Sequence, residues 1–199
     1  MNVTDAAASF GLLLVRDFFD ARECGALVAE LRGAEGGAAV VYGRGEAGVV
    51  DERVRRVARL AVSPETAEFV SRRLSGLKAR VEDHFGVRLA GCEEPQFLRY
   101  REGDFFVAHQ DGNTGLIRSE REARLVSVVV FLSRRAGETG EGDYRGGSLV
   151  FSDWRPGSTR DPFSLNGEPG TLVAFRAETT HEVTPVTSGE RLSIACWYN

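Results

Sequence analysis

Val126-Ser127-Val128-Val129-Val130-Phe131-Leu132 is the stretch on which the fold turns. β-Branched and aromatic residues follow one another with no helical spacing, so the run reads as a strand apolar on nearly every position. Around it the chain is cut by glycine-rich turns into further short strand candidates: Gln96–Arg101, Phe105–His109, Gly147–Ser152, Thr171–Phe175, His181–Val186 and Arg191–Tyr198. Gly11–Arg16, Ala38–Tyr42 and Val54–Val62 extend the pattern upstream. Many short strands with such turns predict a sandwich or barrel. Leu125–Leu132 is far too short to cross a bilayer.

Two helices interrupt the strands in the first half. Asp20 caps the first, with Glu23 completing a capping box, and Cys24, Leu27, Val28 and Leu31 recur at helical spacing before Gly33. The second starts at Ser63-Pro64-Glu65 and carries the stripe Val70, Leu74, Leu77, Val81 and Phe85 up to Gly86. Both stripes are expected to buttress a sheet.

The 199 residues suit one domain, with 1–94 as helical and strand support and 95–199 as the catalytic core. A net charge of −4 gives no electrostatic footprint for nucleic acid or an anionic membrane. Cys24, Cys92 and Cys196 are odd in number and lack zinc-type spacing, which favours reduced thiols over a disulfide framework. Met1–Asp5 has no basic, then apolar, leader pattern. These features predict a soluble cytoplasmic protein.

The chain has three histidines, and two of them bracket its second half: His109-Gln110-Asp111 and His181. Residues two apart on a strand share a face, so His109 and Asp111 would project together, with His181 as the natural third ligand. Two imidazoles and a carboxylate suit Fe(II) and leave positions open for chemistry, although other divalent metals accept the same set. On the last strand Arg191, Ser193, Ala195 and Trp197 share one face, and Leu192, Ile194, Cys196 and Tyr198 the other. The first looks like a pocket wall with a carboxylate anchor such as a dicarboxylate cosubstrate requires, the second like core. Tyr100 offers a hydroxyl to cosubstrate or substrate, or is an ordinary half-buried strand tyrosine. His84 is read as structural, at the end of the second helix. Gly112–Ala123 is read as either a solvated connection or a lid. Arg134–Gly146, with Glu138, Glu141 and Asp143, is read as a solvated loop ahead of a lid, and the insert holding Trp154, Arg155 and Arg160 as a surface loop ahead of a border to the opening.

The second half resembles the prolyl 4-hydroxylase-like branch of the Fe(II)/2-oxoglutarate dioxygenases. The likeness runs in order through Arg99-Tyr100-x-x-Gly103, His109-x-Asp111, Arg124-x-x-Ser127 and Phe131-Leu132-Ser133. It continues through Gly146 to Phe151, Pro169 to Phe175, His181-Glu182-Val183-x-Pro185-Val186 and Gly189-x-Arg191-Leu192-Ser193-x-x-x-Trp197. The resemblance implies a mainly β fold with supporting helices: a double-stranded β-helix (jelly-roll, cupin-like) core with the N-terminal helices packed on one sheet. It implies Fe(II) on His109, Asp111 and His181, with 2-oxoglutarate on the iron and its distal carboxylate on Arg191 and Ser193. It implies O2 as co-reactant, succinate and CO2 as products and ascorbate as a supporting reductant. Asp111 argues against the related halogenases, which have a small residue there. Phe131 and Arg191 depart from relatives that carry tyrosine and lysine; Phe131 cannot donate a hydrogen bond, whereas Arg191 keeps the charge.

The expected activity is therefore hydroxylation of an unactivated C–H bond in a prolyl residue of a protein or peptide, or in a related amino acid or small biosynthetic intermediate. The alternative is a non-oxidative metal-binding cupin-like module or isomerase, which would place more histidines and a glutamate around its metal.

Overall fold

The computed structural model describes residues 7–38, 51–112, 124–137, 142–153 and 160–199. Met1–Asp5, residues 39–42 of the strand expected at Ala38–Tyr42, residues 113–123 of the candidate lid, Glu138, Glu141, Trp154 and Arg155 lie outside them. The strands are β1 (Leu13–Val15), β2 (Gly36–Ala38), β3 (Arg55–Arg56), β4 (Ala58–Leu60), β5 (Gln96–Tyr100), β6 (Phe105–His109) and β7 (Val126–Phe131), then β8 (Tyr144–Gly146), β9 (Leu149–Ser152), β10 (Phe163–Leu165), β11 (Leu172–Arg176), β12 (Thr180–Val183), β13 (Val186–Gly189) and β14 (Arg191–Tyr198). Among the described residues the two long helices are α1 (Ala21–Gly33) and α2 (Pro64–Phe85).

A seven-stranded sheet in the order β1-β11-β7-β14-β5-β4-β2 faces a five-stranded sheet in the order β10-β9-β12-β6-β3, and β13 pairs with β8. The named strand pairs are antiparallel. This is the jelly-roll arrangement expected of the chain, with helices packed on the larger sheet. The run at Val126 forms a strand interior to that sheet, between β11 and β14. Val126, Val128 and Val130 pack toward the helices, and Val129 and Phe131 toward the small sheet, so burial on both faces explains its continuous apolarity.

The helices form where their stripes require. Asp20 and Glu23 cap α1 reciprocally, and Ser63 caps α2 with Pro64 in the first turn. Val70, Leu74, Leu77, Val81 and Phe85 are all buried, and Gly86 ends α2 in the left-handed region. The Tyr198 hydroxyl donates to the Leu74 carbonyl at 2.6 Å, fastening α2 to β14. His84 is structural in its setting, with Nε2 3.3 Å from the Gly11 carbonyl oxygen. None of the described helices is long and apolar enough to cross a membrane.

Four expectations need correction. Val54–Val62 is not one strand: β3 joins the small sheet against β6 and β4 joins the large sheet against β5, with buried Val57 at the corner. His181–Val186 divides into β12 and β13, because Pro185 has no N–H to give a continuing ladder. Arg134–Gly146 is not wholly solvated: it contains β8, whose Tyr144 is 2% exposed, and Asp143 pairs with Arg32 at 2.7 Å. β10 lies in a stretch read as surface loop, and Arg160 beside it packs its guanidinium over Phe10.

Candidate metal and cosubstrate site

The cavity between the two sheets gathers the residues that the sequence singled out. His109 and His181 sit directly opposite each other on β6 and β12, with ring centroids 4.2 Å apart. Asp111 stands two residues past His109, in the bend just beyond β6 rather than on the strand. Gly112 makes that bend possible: a Cβ there would lie 2.9 Å from the Ala177 Cβ and 3.2 Å from the Arg124 carbonyl oxygen.

The donor atoms converge. His109 Nε2 lies 3.5 Å from Asp111 Oδ1, and His181 Nε2 lies 3.4 Å from Asp111 Oδ2. Both Nδ1 atoms face backbone carbonyls, Val107 at 2.8 Å and Thr179 at 2.9 Å. A carbonyl only accepts, so each ring carries a proton on Nδ1 and turns Nε2 toward Asp111. Burial, helped by the neighbouring His109, lowers the His181 pKa to about 4, so the ring is neutral near pH 7. Burial alone would raise the Asp111 carboxyl, but the facing imidazoles hold it well below the usual carboxylate range. Two imidazole Nε2 atoms and a carboxylate thus converge, their donor atoms within 4.8 Å of one another, an arrangement that can hold a cation. The donor set fits Fe(II).

Arg191 forms the other end of the cavity and is 1% exposed. Its Nη1 donates to the Ser193 hydroxyl at 2.8 Å, while Nε and Nη2 find no acceptor among the described residues. A buried guanidinium with donors left over fits a carboxylate. Tyr100 and Phe131 flank it, 5.1 and 5.5 Å from its central carbon. Tyr100 is buried rather than half-exposed and lines the cavity; burial pushes its hydroxyl pKa up, so the phenol stays protonated. Gly147 leaves room for Arg191, since a Cβ there would stand 3.1 Å from Cδ of the arginine, and its φ of +57° suits glycine. The other face of β14, Leu192, Ile194, Cys196 and Tyr198, is in the helix-side core, as its alternation predicts.

Three contributions were not read from the sequence. Ser127 donates to Asp111 Oδ2 at 2.8 Å; a lone hydroxyl in an apolar strand was the available signal. Phe106 stacks on His109 with centroids 3.5 Å apart. Arg124 grips Glu93 at 2.6 and 2.7 Å and lies 3.7 Å over the Trp197 ring, bracing the wall beside Asp111.

Residues 95–199 match the family model of the 2OG-Fe(II) oxygenase superfamily. The chain belongs to that superfamily. It is a 2-oxoglutarate- and Fe(II)-dependent dioxygenase, and Fe(II), 2-oxoglutarate and O2 are its cofactor set. A PKHD-type hydroxylase of Paracoccus denitrificans is 34% identical over 173 residues, which cover 85% of this chain and 71% of that protein. A PKHD-type hydroxylase of Shewanella oneidensis is 35% identical over 108 residues, but those cover only 52% of this chain and 41% of the relative. In fold the oxygenase is similar to a Pseudomonas putida prolyl-4-hydroxylase, at 24% identity with a TM-score of 0.72, over 99% of this chain and 96% of that one. It is also similar to a Trichoplax adhaerens prolyl hydroxylase in complex with a hypoxia inducible factor peptide fragment, at 19% identity with a TM-score of 0.70, over 98% and 86%.

Proposed function

We propose that the protein hydroxylates an unactivated C–H bond, releasing succinate and CO2, with His109, Asp111 and His181 holding Fe(II). The observation that carries this reading is the convergence of the His109 and His181 Nε2 atoms on the Asp111 carboxylate, with both Nδ1 atoms facing backbone carbonyls. Iron bound there supplies oxygen activation coupled to decarboxylation of 2-oxoglutarate. The protein's own part is placement. Arg191, steadied by Ser193, takes the distal carboxylate of 2-oxoglutarate, and the buried Tyr100 closes the wall beside it. Ser127 fixes one carboxylate oxygen of Asp111, and apolar Val129, Leu149 and Val183 help keep water from the cavity.

The substrate is a prolyl residue of a peptide or a related amino-acid or small substrate; the relatives' names support the hydroxylase class. We read residues 1–199 as one working unit, supported by β1, β2 and β4 completing the large sheet. The leftover donors of Arg191 weigh against a non-oxidative cupin-like module, which has no use for a dicarboxylate anchor.

Anaerobic addition of Fe(II) and then 2-oxoglutarate should give a weak visible charge-transfer band in the wild type. The band should be lost in Arg191→Ala at the same 2-oxoglutarate concentration. A wild-type protein that binds Fe(II) but shows no band would refute the cosubstrate assignment.

A further inference from the structure

Buried Arg55 and the Phe106 ring line the cavity from the small sheet, and Trp197 lines it from the large one. Neither the metal nor the cosubstrate reading uses Trp197. Its direct cross-strand partner is Ser127, the residue that donates to Asp111 Oδ2 at 2.8 Å. Directly paired residues share a sheet face, so the indole stands beside the same carboxylate. Trp197 is 6% exposed, and its buried Nε1 closes no hydrogen bond among the described residues. The N–H nevertheless faces Asp111 closely enough to favour the ionised carboxyl. A buried indole donor in this state is unfavourable, so its placement needs a cause outside the cavity.

That cause lies behind the ring. The Arg124 guanidinium carbon sits 3.7 Å from the centre of the Trp197 ring, a close cation–π contact. Arg124 is itself fixed by Glu93, which accepts from Nε at 2.6 Å and from Nη2 at 2.7 Å. The Glu93 N–H donates to the Trp197 carbonyl at 2.8 Å. Glu93 thus holds the tryptophan twice, once through its backbone and once, by way of Arg124, through its ring.

We propose that the Glu93–Arg124 pair positions the metal ligand Asp111 from outside the cavity, by clamping the Trp197 indole so that its N–H stays directed at the carboxylate. This rests on the function proposed above. Glu93 and Arg124 are positioning residues, since neither side chain lines the cavity. The two side chains are 29% and 24% exposed, and an ion pair this near to solvent adds little to stability. Its effect is on orientation. A planar guanidinium can satisfy both oxygens of Glu93 while lying over the indole, whereas a lysine ammonium keeps the charge and loses the plane. Ser127 and Trp197 approach Asp111 from the neighbouring strands β7 and β14, and outer-shell donors of this kind govern roughly 10–100-fold in metal affinity.

The test has two readouts on the whole 199-residue chain. One is Fe(II) affinity by anaerobic equilibrium dialysis. The other is the Trp197 indole N–H signal in nitrogen-15 spectra of the metal-free protein, assigned by its loss in Trp197→Phe. Arg124→Lys should weaken Fe(II) binding roughly 10-fold and move the indole signal, with the denaturation midpoint nearly kept. Glu93→Gln is the second variant should the first fail to fold. In the Trp197→Phe background, Arg124→Lys should bring no further loss of affinity, because the route through the indole is already cut. Unchanged affinity in both variants, or an Arg124→Lys loss of equal size with and without the indole, overturns the proposal. A lowered midpoint with affinity kept overturns it too, and makes the pair a purely structural brace. A wild type that binds no Fe(II) refutes the metal reading itself, and the proposal with it.

Discussion

The two facing sheets divide the work unequally. The seven-stranded sheet is packed on both sides: β7 and β14 are buried along nearly their whole lengths, with helices behind them and the cavity in front. The five-stranded sheet is thinner in its packing, and β6 exposes Val107 to 37% while carrying His109. The doubly packed sheet holds Arg191, the proposed anchor for 2-oxoglutarate, and the lighter sheet holds both histidines. What joins them is the hydrogen bond from Ser127, on the doubly packed sheet, to Asp111 beside the light one. A site spread across two layers keeps its geometry only as well as the layers keep their spacing.

Substitutions can break or sharpen this contrast. Asp111→Ala should have the largest effect, lowering Fe(II) affinity by more than the roughly 10–100-fold typical of losing an outer-shell partner. Equilibrium dialysis with Fe(II) measures it, and near-wild-type affinity would remove Asp111 from the ligand set. On the other side of the large sheet, Leu74→Ala opens a cavity under α2, where the side chain is fully buried. It should cost about 2–5 kcal/mol in denaturant unfolding. A smaller loss would mean that α2 is less essential to the doubly packed layer than its burial indicates. Ser127→Ala removes only the link between layers and should reduce metal affinity roughly 10-fold with stability nearly kept. An equal loss of stability would make Ser127 a core residue instead. Val107→Ser, on the exposed side of β6, should change stability by no more than about 0.5 kcal/mol. A larger change would show that the outer face of the light sheet is covered by something in solution.

The same contrast explains what could be read from the chain. The stripe Val70 to Phe85 and the alternation from Arg191 to Tyr198 were legible because burial on one face writes a period into the sequence. His109 and His181 were legible because the chain has three histidines in all, and Asp111 because it stands two residues from one of them. That His109 and His181 are cross-strand neighbours was not, since register is decided by partners distant along the chain. Tyr144 stood among glycines and charges and gave no period, yet β13 pairs with its strand and buries it. Arg55 sat in Asp51-Glu52-Arg53-Val54-Arg55-Arg56, where composition alone points to solvent. Its burial is a property of the corner at Val57, not of the local sequence.

That corner has a consequence for how the chain tolerates change. Arg55 is registered on Phe106 and Ala58 on Arg99, so a few consecutive residues set the alignment of both sheets at once. A strand slip of one residue turns every side chain to the opposite face. A single-residue insertion or deletion at Val57 would thus displace either Arg55 from the cavity or Leu60 from the helix-side core. Length variation between homologous chains should therefore be absent at this corner and be absorbed in connections that feed only one sheet.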